Sequence, residues 1–206
     1  MNKLFEKKDR LIVNLLPYNG EAYYYGKIFE KNESSFYYKY LFNQINWLND
    51  QVIIYGKLIT TRRKTAWFGN KPYNYTYSKI TRKALPWTNE LLFLKKRVEQ
   101  FSGETFNSCL LNLYHDGSEG MSWHRDAESD LIKDGAIASL SFGAERIFNF
   151  RNLKTSEKVN ILLEDASLLI MKGKTQTYWA HQIPLSKKIR TPRINLTFRT
   201  ICEEVL

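Results

Sequence analysis

The sequence predicts an α+β protein that is mainly β, with helices early in the chain and a sandwich or jelly roll of short strands after them. Three observations carry this. Before Gly103, two stretches repeat their apolar residues at helical spacing. After it, short β-like runs follow one another, separated by turn residues. A chain of 206 residues can bury one substantial core, so a single domain is expected.

In chain order, "NESSFYYKYLFNQINWL" reads as a helix capped by Asn32 or Ser34, with Phe36, Tyr37, Tyr40, Leu41 and Trp47 inward. The middle segments "IIYGKLITTRRKTAWFG" and "YNYTYSKI" read as β-hairpins and loops over the core. In "TNELLFLKKRVEQFSG", Thr88 caps a second helix, Glu90 lies in its first turn and Gly103 ends it. Leu91, Leu94, Val98 and Phe101 form its apolar stripe, and Lys95, Lys96 and Arg97 lie outside. The strands expected next are "CLLNLY", "AIASLSF", "RIFNF", "VNILL", "SLLIM", "TQTYWAHQI" and "RINLTFRTI". Of these, "SLSFGAERIFNF" reads as a hairpin turning at Gly143 and Ala144.

Composition narrows the class. Thirteen Tyr, twelve Phe and five Trp argue against disorder. No apolar run approaches the roughly 18–20 residues of a membrane helix, so no membrane partner is expected. The opening "MNKLFEKKDRLIVNLLP" has its apolar stretch interrupted by Asn14 and no small-residue cleavage site after it, so no signal peptide is read. Cys109 and Cys202 are too few for a disulfide framework, and a reducing, intracellular location is expected.

The formal charge of +10 is unevenly placed. Residues 51–89 contain no Asp or Glu but eight basic residues: Lys57, Arg62, Arg63, Lys64, Lys71, Lys79, Arg82 and Lys83. Tyr55, Trp67, Phe68, Tyr73, Tyr75, Tyr77 and Trp87 are interleaved with them. Cations that neutralise phosphates beside aromatic faces that stack on bases suggest nucleic acid. A solvated basic face is the alternative.

The segment "WHRDAE" carries the chemistry. His124 and Asp126, two apart at a strand end, project from one face. His181 in "YWAHQIP" is the natural third ligand, giving the two-His, one-carboxylate face of non-haem Fe(II) oxygenases. Alone, this pattern also suits a zinc hydrolase or no metal, with His181 a core histidine. His115, beside a turn, receives no role. The segment "TPRINLTFRT" adds to it. As a strand it places Arg193, Asn195, Thr197 and Arg199 on one face and Ile194, Leu196 and Phe198 on the other. Inward arginines need anionic partners. An exposed edge strand would explain the same alternation without any ligand. The two guanidiniums lie roughly 20 Å apart along an extended strand. Either the strand curves around one long ligand, or one arginine holds its far carboxylate and the other an acidic ligand residue or its near end. Beside iron, this implies a dicarboxylate co-substrate, 2-oxoglutarate first.

Together, "NLYHDGSEGMSWHRDAE", "ASLSFGAER", "SLLIMKGKTQTYWAHQIP" and "PRINLTFR" resemble the AlkB family of Fe(II)- and 2-oxoglutarate-dependent nucleic-acid demethylases, from about residue 50 to 200. The resemblance implies one dioxygenase domain over residues 1–206. Residues 106–206 would form a double-stranded β-helix (jelly-roll) core, and residues 1–105 an extension of helices and a β-hairpin nucleotide-recognition lid. It makes His124, Asp126 and His181 the iron ligands, and Asn112, Tyr114, Arg193, Asn195 and Arg199, with Thr197, the 2-oxoglutarate site. In the lid, Tyr77 would stack on a flipped base opposite His124, with Tyr75 and Ser78 nearby and Glu128 contacting the damaged base.

"IYGKLITTRRK" is similar to the member that works on duplex DNA, making Tyr55, followed by Gly56 and Lys57, the finger that fills the gap. Lys57 and Arg63 would meet phosphates. Two departures bear on substrate preference: Ala127 where that member has an acid, and Tyr55 and Tyr77 where it has Phe. The implied reaction removes methyl groups from 1-methyladenine and 3-methylcytosine in DNA, using Fe(II), 2-oxoglutarate and O₂ and releasing succinate, CO₂ and formaldehyde. DNA, single- or double-stranded, is the expected partner of a monomer. An RNA or tRNA base demethylase, an oxygenase of other substrates and a silent nucleic-acid-binding module are the alternatives.

Overall fold

The computed structural model describes residues 12–54, 57–77 and 80–203. β1 (Glu21–Lys27) leads into α1 (Lys31–Gln44). β2 (Leu48–Ile54) and β3 (Lys57–Gly69) pair antiparallel, as do β4 (Asn74–Tyr77) and β5 (Ile80–Lys83), and α2 (Asn89–Ser102) follows. Then come β6 (Ser108–Tyr114), β7 (Met121–His124), β8 (Ile137–Gly143), β9 (Arg146–Asn152), β10 (Lys158–Leu163) and β11 (Ser167–Lys172). One helical turn, α3 (Thr175–Tyr178), precedes β12 (Trp179–Ile183) and β13 (Arg193–Arg199).

The strands form two main antiparallel sheets, the jelly-roll arrangement. The larger runs β1-β11-β8-β13-β6-β3-β2 and the smaller β10-β9-β12-β7, while β4 and β5 stand apart as a ribbon. The larger sheet joins strands from both sides of residue 105, since β1, β2 and β3 all belong to it. Its period-2 alternation separates two cores. Leu111, Leu140, Leu196 and Phe198 pack with Leu41 of α1 and Leu91, Leu94 and Val98 of α2. On the other face, Tyr114, Leu169 and Met171 pack with Phe148, Phe150 and Trp179 of the smaller sheet. Both faces of the larger sheet are thus covered, and all seven residues of β13, in mid-sheet, are buried. The exposed-edge alternative for this strand is excluded.

α2 follows its sequence signals. Leu91 N–H donates to Thr88 Oγ1 (3.2 Å), and Gly103 ends the helix at φ 73°. α1 departs from them. Glu30, not Asn32 or Ser34, caps it in a reciprocal box with Glu33. The Ser34 hydroxyl instead donates to Asp165 (2.7 Å). Phe36, expected inward, is 58% exposed. The buried face is set by Ser34 and Leu41, and two residues beyond Ser34 is about 200° round the helix.

Three other expectations are corrected. The run "SLSFGAERIFNF" is not a hairpin: β8 belongs to the larger sheet and β9 to the smaller. The chain turns the corner at Gly143 (φ 84°), whose N–H donates to Asp165 (2.7 Å) while Ala144 N–H donates to the Pro192 carbonyl (2.9 Å). A Cβ there would lie 2.5 Å from that carbonyl oxygen, so glycine is required. In "TQTYWAHQI" only the second part is strand. The start coils into α3 because Thr175 is buried and tied to β1, its Oγ1 accepting from Glu21 N–H (2.7 Å). Finally, β3 is not laid over the core but inserted beside β6, burying Trp67 and Phe68.

Gly143→Ala is expected to destabilise the protein by about 2–5 kcal/mol, combining positive-φ strain with steric overlap. Gly103→Ala, at a similar φ but with nothing within 4 Å of its Cβ, should cost about 1 kcal/mol. Urea-denaturation midpoints of the two variants check the contrast.

Candidate metal and dicarboxylate site

β7 and β12 are neighbours, and His124 and His181 face each other directly in their register. Both imidazoles therefore emerge on one face, with ring centroids 4.2 Å apart. β7 ends at His124, and Asp126, two residues on, turns its carboxylate to the same place. One ligand atom from each of the three lies within 4.8 Å of the others. The supporting contacts fix each group. His124 Nδ1 lies 2.7 Å from the Ser122 carbonyl, which can only accept, so Nδ1 carries the proton and Nε2 offers its lone pair. Asp126 receives Arg199 Nη2 at 3.0 Å, and its backbone N–H donates to Gln176 Oε1 (3.0 Å). His181 stacks on Phe148 at 5.2 Å.

These surroundings set the charge states. Burial opposes ionisation of Asp126, but Arg199, His181 and His124 outweigh it and hold the carboxyl below its ordinary range. Burial, and then the neighbouring His124, push His181 down to about 3. A neutral His181 imidazole and an ionised Asp126 carboxylate are forms in which a divalent metal takes its ligands.

β13 supplies the other half. Its register sets Arg193 beside Tyr114 and Asn195 beside Asn112 on one side, and Asn195 beside Ser141 on the other. Asn195 Nδ2 donates to Ser139 Oγ (2.8 Å) and the Leu140 carbonyl (3.1 Å), and the Thr197 hydroxyl donates to Asn195 Oδ1 (3.0 Å). The two arginines have separate tasks. Arg199 holds Asp126, the option in which one arginine serves an acidic ligand residue. Arg193, 1% exposed, donates from Nη2 to Ser141 Oγ (2.9 Å) and sits 5.5 Å from the Tyr114 ring centroid. Its Nε and Nη1 are buried without a hydrogen-bond partner, as is His181 Nδ1. Burial pushes Arg193 down to about 10. Unmet buried guanidinium donors are costly, and a carboxylate is the group that satisfies them. The residues fit both a metal and a dicarboxylate.

His124, Asp126, His181, Asn112, Tyr114, Asn195, Thr197 and Arg199 line one cavity, together with Glu128. Arg193 is not among its lining residues but lies against Tyr114, which is. Lys57 is exposed at the start of β3. Arg63, expected as a phosphate contact, is corrected: it is buried, paired with Asp50 and lines the cavity. Tyr75 and Tyr77 pair with Arg82 and Ile80 through β4 and β5. Their side chains, and all of Tyr55, Gly56 and Ser78, fall outside the described residues. Trp87 is structural, donating to Asn70 (2.8 Å) and stacking on Phe198. Sequence reasoning missed Asp50, Met121, Phe148, Met171 and Gln176. Ser139 and Ser141 were legible, since they alternate in "ASLSF" with the apolar residues of the opposite face.

Two antiparallel sheets enclosing a His-Asp-His cluster beside a buried arginine define a non-haem iron oxygenase. Residues 21–199 match the 2OG-Fe(II) oxygenase superfamily, and the chain belongs to it, within its AlkB family. Fe(II), 2-oxoglutarate and O₂ are the cofactors of that superfamily and of this chain. The chain is 45% identical over 149 residues to alpha-ketoglutarate-dependent dioxygenase alkB homolog 3 of Homo sapiens, covering 68% of this chain and 51% of that one. It is 36% identical over 188 residues to the DNA oxidative demethylase ALKBH2 of Homo sapiens, covering 86% and 72%. It thus spans about half the length of the alkB homolog 3 proteins it matches. The solved structure of OsALKBH1 shares the fold, with a TM-score of 0.61 at 17% identity over 90% of this chain and 99% of that one.

Asp126→Asn should weaken Mn(II) binding at least 100-fold, read by titration calorimetry. A second expectation follows from His181. Its pKa is lower folded than unfolded, so between pH 6.5 and 3 the unfolded chain binds the extra proton and stability rises with pH. Chelator-treated protein should lose stability as pH falls through this window, by up to about 1.4 kcal/mol per unit from this group. His181→Gln should flatten the slope of denaturation midpoint against pH.

Proposed function

We propose that this chain is a DNA repair dioxygenase that oxidatively removes methyl groups from alkylated bases, acting on 1-methyladenine and 3-methylcytosine and releasing formaldehyde. The observation that carries this reading is the meeting of His124, Asp126 and His181 in one cavity with Asn112, Tyr114, Asn195 and Thr197. The likeness to proteins named DNA oxidative demethylase supports the choice of substrate.

His124, Asp126 and His181 would hold the iron, and Arg193 with Ser141 the far carboxylate of 2-oxoglutarate, while Asn112, Tyr114, Asn195 and Thr197 flank it. Held there, iron would supply, with 2-oxoglutarate and O₂, the two-electron oxidation that turns an N-methyl group into N-hydroxymethyl, with succinate and CO₂ as co-products. The protein's residues do the rest. Arg199 keeps Asp126 ionised and aimed, and the Ser122 carbonyl keeps His124 in the ligating tautomer. Glu128 lines the cavity and suits a methylated base that carries positive charge. Hydroxylation leaves an N-hydroxymethyl group, whose C–N bond breaks to give formaldehyde and the unmodified base. Tyr77 would form the aromatic wall opposite His124, and Tyr75 and Ser78 the rest of a lid on the β4–β5 ribbon. Tyr55 and Gly56, between β2 and β3, would fill the gap left by an extruded base.

Lys57, exposed on β3, would meet phosphates, and exposed Arg62, ion-paired with Asp116 and Glu119, would be drawn to them as well. Such a repair enzyme works where the genome is, inside the cell.

Formaldehyde release from matched oligonucleotides carrying 1-methyladenine or 3-methylcytosine tests the reading, with single-stranded DNA, duplex DNA and RNA as arms. Turnover on DNA supports it; turnover on RNA alone, or on neither, overturns it. Lys57→Ala should reduce the slope of log K against log salt by about 0.9. Arg63→Ala should leave that slope unchanged, because its guanidinium is buried and paired.

A further inference from the structure

The larger sheet turns one face toward the metal cluster, and α1 and α2 cover the other. The outer surface of these helices carries apolar groups that the core does not use. Phe36 of α1 is 58% exposed and Phe93 of α2 46%. Tyr37 joins them: its ring meets Phe36 edge-on at 5.2 Å and lies parallel to Phe93 at 5.6 Å. Tyr37 also packs against buried Phe29, again at 5.6 Å. The three rings thus form one continuous row across both helices, footed on the core and already fixed in place. Folding gives no reason for the two outermost rings, since a helix places polar residues on the side away from its core. A contiguous apolar patch rimmed by polar residues marks an interaction site, and a row held in position loses little freedom when it is covered.

The charge around this row is one-sided. Lys39 stands three residues beyond Phe36 and Lys96 three beyond Phe93, so each exposed ring has a lysine beside it on its own helix. Both lysines are exposed, and neither has an ion-pair partner among the described residues. The acids of the two helices are engaged. Glu33 pairs with Arg97 (3.6 Å), Glu99 with Lys95 (2.7 Å), and Glu90 takes the Tyr40 hydroxyl. What this surface lacks is negative charge.

We propose that this face docks a partner protein through a short acidic segment. Its apolar side chains settle on Phe36, Tyr37 and Phe93 while its carboxylates meet Lys39 and Lys96. A second copy of this chain fits worse. A two-fold contact would set the same lysines against one another in a molecule of net charge +10. Nucleic acid fits worse too. Tyr37 and Phe93 already cover one face of each other, and Arg97, the only arginine of the two helices, is held by Glu33 and lies 5.2 Å from the Phe29 ring. The docked segment would lie behind the larger sheet and leave the cavity open.

A random peptide library displayed on phage, selected on the wild-type protein and counter-selected on the double variant Phe36→Ser, Phe93→Ser, tests this. Enriched sequences should combine Asp or Glu with aromatic or aliphatic residues. A synthetic peptide of the enriched sequence should bind the wild type, weaken with salt, and lose roughly tenfold or more in affinity on the phenylalanine variant. The double variant Lys39→Glu, Lys96→Glu, which removes no packed ring, should weaken it as well. Circular dichroism of both variants should match the wild type. A selection that yields no peptide preferring the wild type, or only neutral or basic ones, overturns the proposal. So does a concentration-dependent dimer in sedimentation that the phenylalanine variant abolishes, which would assign the face to a second copy. Loss of affinity for an unmodified single-stranded oligonucleotide in that variant would assign the face to nucleic acid and overturn it equally.

Discussion

The contact between Arg199 and Asp126 is the interaction on which the site's order rests. Both side chains are buried, and either alone would be an uncompensated charge in a dry interior, a state costing about 3–5 kcal/mol. Paired, they join the last residue of a mid-sheet strand to the segment just after β7. That segment carries the acidic member of the metal cluster, and β7 and β12 bring the two histidines to it. Gln176, on the short α3, holds the same segment by its backbone. Asp126 is thus fixed at both its parts, the carboxylate by a charge and the backbone by an amide.

This arrangement is possible because the larger sheet is covered on both faces. α1 and α2 take one apolar face, so the opposite face can carry arginine, asparagine, serine and threonine toward the smaller sheet. Polar groups there are affordable only when matched, and they are matched across strands, Asn195 with Ser139 and Arg193 with Ser141, and along β13, Thr197 with Asn195. Among the described residues, Arg193 and His181 keep buried atoms unmatched, where the chemistry calls for a ligand. The unmet atoms are a negative image of what the site receives.

Much of this was legible in the sequence because it depends on period-2 alternation and on short spacings. His124 and Asp126 two apart, and Arg193, Asn195, Thr197 and Arg199 at alternate positions, declare a shared face without any tertiary knowledge. The cap at Thr88 and the stop at Gly103 are equally local. What failed was non-local. Arg63 reads as one more cation in a basic run, and only a bulge opposite Asp50 turns it inward. Trp67 and Phe68 look like stacking surfaces until β3 pairs with β6. Gly143 followed by Ala144 looks like a hairpin turn, yet nothing local says that the next strand joins a different sheet. Phe36 was misplaced because the buried face of α1 is set by Ser34 and Leu41, and which face packs is decided by the sheet beneath it rather than by the helix's own residues.

The cavity has unequal ends. His124 keeps about a quarter of its side chain open to solvent, whereas Tyr114 is 3% exposed and Arg193 1%. On the proposed reading, a small diacid resting against Tyr114 would have to enter before a base fills the more open side of the cavity, and would leave after it. The proposed function would then carry an order in time, small diacid first and polymer second.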